Sequence, residues 1–140
     1  MQYKILSRAA AQKHSYKVDM PTIIISITDP DKDIARFAKN PNIYGVCRVS
    51  FDDADKRVDD EILMTNDDAK KIIDFVNRYR QNVDQIVVHC EAGMSRSAGV
   101  MAAIREWLDG DKFSVWNNPM YHPNRHCYRT MISNIFGSIV

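Results

Sequence analysis

The sequence predicts an α/β fold, a mainly parallel central sheet flanked by helices, and three observations carry that expectation. The first is a pair of strand-sized runs without polar alternation, Thr22 to Thr28 and Ile86-Val87-Val88, of the kind found where both faces of a parallel sheet are covered. The second is a pair of helical stripes, Ala69, Ile72, Ile73, Val76 and Tyr79, then Ala98, Met101, Ala102, Arg105 and Leu108. The third is their order along the chain, strands alternating with helices, from which parallel sheets are built. The length of 140 residues, 45% hydrophobic and 26% charged, suits a single domain over 1–140 with its own core.

The elements follow in order. Tyr3 to Leu6 reads as a short edge strand and Ser7 to His14 as a weak helical turn. Pro21 opens the β-branched run Thr22 to Thr28, and Asp29-Pro30-Asp31 closes it with turn chemistry. Ile34, Phe37 and Ala38 stand at helical spacing, so a helix is expected over Asp31 to Ala38, ending near Asn40-Pro41. Ile43 to Phe51 reads as the next strand, and the acidic, apolar-poor stretch Asp52 to Glu61 as a loop. Thr65 is a good N-cap for the helix that follows, with Asp67 and Asp68 at its positive end and Arg78 and Arg80 at its negative end. The buried strand at Ile86-Val87-Val88 leads to a helix from about Arg96 to Asp109, stopped by Gly110. The tail holds Phe113 to Trp116, a Pro-bounded loop from Asn117 to Pro123, and an amphipathic helix from about Asn124 to Phe136.

Composition excludes several classes. Five Gly and five Pro leave no room for a collagen-like or disordered chain. Nineteen Lys and Arg against eighteen Asp and Glu give a formal charge of +1, no bulk reason to expect a nucleic-acid or membrane partner. No apolar run is long enough to cross a bilayer, and no apolar segment follows Lys4 and Arg8 to make a signal peptide. Three cysteines, Cys47, Cys90 and Cys127, are an odd number without framework spacing. Free thiols in a reducing, cytoplasmic compartment are expected.

One segment stands above the rest, His89-Cys90-Glu91-Ala92-Gly93-Met94-Ser95-Arg96-Ser97. A cysteine ends a buried strand, five residues intervene, and an arginine and a serine open the next helix. Ligands bind at that edge of an open α/β sheet. A loop of this size can curl until its amides converge on one point above a helix N-terminus, forming an anion nest. Gly93 supplies the positive φ such a curl needs. Converging amides, the helix dipole and Arg96 would all favour thiolate at Cys90. Arg96 offers a planar fork for two phosphate oxygens, and Ser97 can donate to the sulfur when it leaves. Cys-x5-Arg by itself is a weak signal in a chain this rich in cations. The preceding His, the Gly, the following Ser and the flanking strand and helix make it a strong one.

That loop resembles the signature loop of the cysteine-dependent protein tyrosine phosphatase superfamily, most closely its compact dual-specificity branch. The likeness covers Ile86 to about Leu108 firmly and Phe51 onward more loosely, and Pro123-Asn124-Arg125 at the start of the last helix is compatible with it. The low-molecular-weight tyrosine phosphatases carry the same spacing near their N-terminus, which position 90 argues against. The resemblance implies a phosphatase-type loop between buried strand and helix, and a two-step phosphomonoester hydrolysis through phosphocysteine on Cys90. Arg96 and the amides of Glu91, Ala92, Gly93, Met94 and Ser95 would hold the phosphate, with no metal or other cofactor. It also implies a general acid some 30 to 40 residues before the cysteine, where Asp52, Asp53, Asp55, Asp59 and Asp60 lie. Phe51-Asp52-Asp53 best matches the family's lead-in, so Asp53 is the leading candidate, ahead of Asp52 and Asp55.

Other residues have ordinary readings. His89 is expected to support the loop rather than transfer protons. Glu91 and Ser95 should contribute backbone amides, with the direction of the Ser95 hydroxyl open. Cys47 and Cys127 read as buried inert thiols. His14, His122 and His126 form no metal-ligand pattern with any cysteine. Helix capping accounts for Asn124, and core packing for Trp107 and Trp116. The expected partner is a phosphorylated protein or a small phosphomonoester, with phosphotyrosine and phosphoserine/threonine both admitted. A phosphate-binding pseudophosphatase, an RNA 5′-triphosphatase, a phosphoinositide phosphatase and a rhodanese-type sulfur transferase are the alternatives. The absence of lysine from the loop weighs against the polyanionic substrates.

Overall fold

The computed structural model describes residues 1–56 and 59–137. Among the described residues nine elements run in the order β1 (Gln2–Ser7), α1 (Arg8–Ser15), β2 (Thr22–Thr28), β3 (Ile43–Ser50), α2 (Asn66–Tyr79), β4 (Gln85–Cys90), α3 (Arg96–Asp109), α4 (Phe113–Trp116) and α5 (Arg125–Phe136). The four strands form one parallel sheet in the order β1-β4-β2-β3, with Ser26 opposite His89 and Arg48. The α/β expectation therefore holds, with a sheet that is parallel throughout. Every residue of β2 and β4 is buried, as their unbroken apolar runs require.

The two sheet faces differ in chemistry. Ile23, Ile25, Ile27, Cys47, Val49, Ile86, Val88 and Cys90 face α2, α3 and α5, and with Ile72, Val76, Met101, Ile104, Cys127 and Met131 they make the main core. Each isoleucine fully withdrawn there contributes about 1.5–3 kcal/mol. The opposite face carries Ser26 and His89, and α1 covers it, His14 Nε2 lying 2.9 Å from Gln85 Oε1. All four strand ends meet at one edge of the sheet. Ser7, Cys90, Asp29 and Phe51 arrive there side by side.

The helix boundaries match the sequence signals. Thr65 and Asp68 form a reciprocal capping box on α2, and Gly110 ends α3 in the left-handed conformation, φ 69°. Asn124 caps α5 by accepting from the Cys127 amide.

The helix expected over Asp31 to Ala38 does not form. Pro30 sits inside a turn closed by the Lys32 amide on the Asp29 carbonyl, and the chain then runs without regular structure to Pro41. Its backbone donors go to α1 instead, Arg36 N to Gln12 Oε1 and Ala38 N to Ser15 Oγ. Arg8 grips the carbonyls of Asp33 and Ile34. Exposure alternates, with Ile34 and Arg36 outward and Ala35 and Phe37 inward, so the helical spacing of Ile34, Phe37 and Ala38 is incidental. Tertiary hydrogen bonds outweigh local propensity here. The expected acidic loop runs over 52–61; residues 57 and 58 lie outside the described residues, and the rest carries no helix or strand. No helix among the described residues is long and apolar enough to cross a membrane.

Candidate active site

Cys90 is the last residue of β4, 2% exposed, and its sulfur lies where the loop to α3 turns back on itself. The Gly93 amide donates to Cys90 Sγ at 3.2 Å, and Ser97 Oγ lies 3.1 Å away from the other side. Gly93 has φ 72°, and a Cβ there would stand 2.5 Å from the Leu6 carbonyl carbon and the Ser7 nitrogen. Only glycine fits a loop wedged so closely against the end of β1.

Arg96 opens α3 and is buried, its side chain 5% exposed. Nη1 donates to Asp29 Oδ1 and to the Phe51 carbonyl, each at 2.8 Å. Nε is buried and has no hydrogen-bond partner among the described residues. One nitrogen is thus anchored to the ends of β2 and β3, while Nε is left without an acceptor.

The carboxylates separate by geometry. Asp53 Oδ1 accepts from Ser95 Oγ at 2.8 Å and from Asn124 Nδ2 at 2.9 Å, so it is held against the loop. Asp52 faces away, its Oδ2 accepting from the Ile62 amide at 2.7 Å and closing its own loop. Asp55 is exposed on the wall of a cleft of about 400 Å³ that Asp53, Ser95, His122, Pro123, Asn124 and Arg125 also line. Asp59 and Asp60 are exposed and outside that lining. Ser95 brings the loop into that lining, while Cys90 and Arg96 take no part in it.

His89 is fully buried. Nδ1 faces the Cys90 carbonyl at 3.2 Å, an acceptor only, so Nδ1 carries the proton and Nε2 accepts from Ser26 Oγ at 2.6 Å. Burial pushes its pKa down, more than the bond to the Cys90 carbonyl raises it. Phe37 packs edge-on against the ring, 5.7 Å between centroids. A neutral imidazole thus ties the end of β4 to β2.

The loop's acidic member does more than its sequence suggests. Glu91 pairs through its side chain with Arg8 at 3.2 Å and Lys32 at 3.9 Å, rather than contributing only an amide. Ser95 turns its hydroxyl to Asp53. Sequence reasoning missed Asp29, whose sole signal was an acid at the carboxyl end of a buried strand, and it took Asn124 for a cap alone. The side chain serves both ends, its oxygen capping α5 and its nitrogen holding Asp53. Cys47 and Cys127 are buried, free and raised in pKa by that burial.

No family model matches this chain, and no curated protein matches it in sequence. Solved structures do. Human DUSP28 superposes with a TM-score of 0.65 at 14% identity, over 92% of this chain and 87% of that one. The PTP-2 phosphatase of Cydia pomonella gives 0.65 at 16% identity, over 95% and 85%. PTPMT1 in complex with PI(5)P gives 0.61 at 13% identity, over 96% and 90%. The chain has the fold of the compact dual-specificity and tyrosine phosphatases.

Proposed function

We propose that this protein, which shares its fold with the dual-specificity phosphatases, is a cysteine-dependent phosphomonoester hydrolase that works through phosphocysteine. One observation carries the reading: a buried Arg96 with an unpartnered Nε stands over a loop in which a backbone amide and a hydroxyl converge on Cys90 Sγ. The two donors on the sulfur favour its thiolate form, and the free Arg96 Nε offers a donor to an oxyanion.

In the first step Cys90 sulfur attacks phosphorus in line. The S–P bond forms as the P–O bond breaks, and Asp53 gives its proton to the departing oxygen. Arg96 and the amides from Glu91 to Ser95 take the charge on the equatorial oxygens. In the second step water attacks phosphorus, its proton passes to the Asp53 carboxylate, and sulfur leaves as thiolate. Gly93 N–H and Ser97 O–H receive that charge. His89 keeps the strand end in place and moves no proton.

The preferred substrate is a phosphorylated protein side chain, phosphotyrosine first, or a small phosphomonoester. The cleft beside Asp53 sets Asp55 and Glu61 against Lys56 and Arg125, so it lacks the uniform positive charge that a polyanion would favour. Free, buried Cys47, Cys90 and Cys127 support a reducing, cytoplasmic setting.

The test uses Cys90→Ser. The variant is expected to bind phosphate or vanadate and to lose turnover of an aryl phosphate. Undiminished turnover would end the reading. Phosphate binding by wild type without turnover of p-nitrophenyl phosphate would indicate a pseudophosphatase, and thiosulfate activity in its place a sulfur transferase.

A further inference from the structure

Arg96 is aimed by a residue that neither the signature loop nor the acid loop supplies. We propose that Asp29 is the positioning residue that sets which edge of the Arg96 guanidinium faces the anion nest. The inference rests on the phosphate-binding role proposed for Arg96.

The geometry is specific. β2 ends at Thr28, and the turn Asp29-Pro30-Asp31-Lys32 carries the Asp29 carboxylate across the top of the neighbouring strand β4. Pro30, one residue into that turn, has the φ the turn requires. Asp29 Oδ1 takes Nη1 of Arg96 at 2.8 Å, and the Phe51 carbonyl takes the same nitrogen from the end of β3. Two acceptors on Nη1 fix the plane and roll of the guanidinium. Nε is then buried with no hydrogen-bond partner among the described residues, and Nη2, beside it on the same edge, takes no part in the two bonds that hold Nη1. Nε and Nη2 form the parallel pair of donors that forks a phosphate. Without Asp29 only the Phe51 carbonyl would hold Nη1, and the guanidinium could roll about that one bond.

Asp29 is itself held. Its Oδ2 lies 3.4 Å from Lys32 Nζ, Lys32 reaches Glu91 at 3.9 Å, and Glu91 reaches Arg8 at 3.2 Å. Charges alternate along Arg96, Asp29, Lys32, Glu91 and Arg8, linking the ends of β2, β4 and β1 around the loop. Both Asp29 oxygens face cations, so this carboxylate is an orienter and not a second acid.

The test separates positioning from stability and from the phosphatase reading. Wild type, Asp29→Asn and Asp29→Ala are compared for the unfolding midpoint without phosphate, for the affinity of inorganic phosphate or vanadate, and for kcat and KM on an aryl phosphate. Asn keeps an oxygen for Nη1 but loses the charge; Ala loses both. The expected order of phosphate affinity is wild type, then Asn about threefold weaker, then Ala about tenfold or more weaker, in line with a charge-assisted hydrogen bond. kcat/KM should fall in parallel, with partial rescue in Asn. If Ala does not fold, the folded Asn variant decides alone. Lowered midpoints with unchanged phosphate affinity would overturn the proposal and leave the phosphatase reading standing. Failure of wild type to bind either anion would overturn both.

Discussion

Replacing Gly99 by alanine sets two magnitudes of opposite sign against each other. Gly99 lies in the first turn of α3, and alanine is the better helix former there by about 1 kcal/mol. On helix propensity alone, Gly99→Ala stabilises. The packing says otherwise. A Cβ on Gly99 would overlap the Asn124 carbonyl oxygen and stand 3.1 Å from Cys127 Cβ, where α5 starts against α3. The nearest atom belongs to the backbone, so α5 must shift rather than a side chain rotate. Overpacking of this kind costs about 1–3 kcal/mol, and its upper half applies when the backbone must yield. The net expectation is a loss of about 1–2 kcal/mol, or roughly 3–8 °C in Tm for a chain of this size. The shift has a second consequence, because the Asn124 amide that moves with α5 also holds Asp53. Turnover should therefore fall more for phenyl phosphate, whose poor leaving group needs the acid, than for p-nitrophenyl phosphate. Thermal unfolding and the two-substrate comparison measure both effects. A Gly99→Ala protein as stable as wild type would refute the close approach of α5 to α3, and an equal loss on both substrates would refute the link to Asp53.

Other outcomes follow from the same site. Asp53→Asn should lower kcat on phenyl phosphate by about 10²–10⁴, the usual worth of a general acid, while Asp52→Asn should cost less than about tenfold; equal losses in two folded variants would remove the assignment of Asp53. His89 is neutral when folded because burial lowers its pKa below 6.5, so below that pH the unfolded chain binds a proton that the native state refuses. Its contribution to stability is therefore full above pH 6.5 and lost as pH falls toward the folded value, by up to about 1.4 kcal/mol per unit. Denaturant titrations between pH 5 and 7.5 should show this slope in wild type and a shallower one in His89→Gln; identical slopes would rule His89 out as its source.

Much of this protein was legible in its sequence. The β-branched run after Pro21 and the run before Cys90 specified buried strands, because only a strand covered on both faces is continuously apolar. Thr65 and Gly110 marked helix ends through local hydrogen bonding and backbone conformation, which depend on a few adjacent residues. The signature loop was legible for the same reason, since Cys90, Gly93, Arg96 and Ser97 are brought together by one turn of chain. The expected helix over 31–38 failed because its amides and carbonyls found Gln12, Ser15 and Arg8 on another element, and helical spacing cannot see such partners.

Only the tertiary structure decided how the site is completed. Asp29 and Phe51 lie 67 and 45 residues from Arg96, and Asp53 lies 42 from Ser95, separations too long for sequence spacing to relate. A parallel sheet delivers all its strand ends to one edge, and that edge joins Asp29 to Arg96 and sets Asp53 on Ser95. Asn124 arrives from the last helix, admitted by the missing side chain at Gly99. The sequence alone specified the Cys90 loop and the class of fold, because both rest on local pattern. Which of the neighbouring aspartates lies against the loop, and how the arginine is held, depended on contacts between segments far apart in the chain.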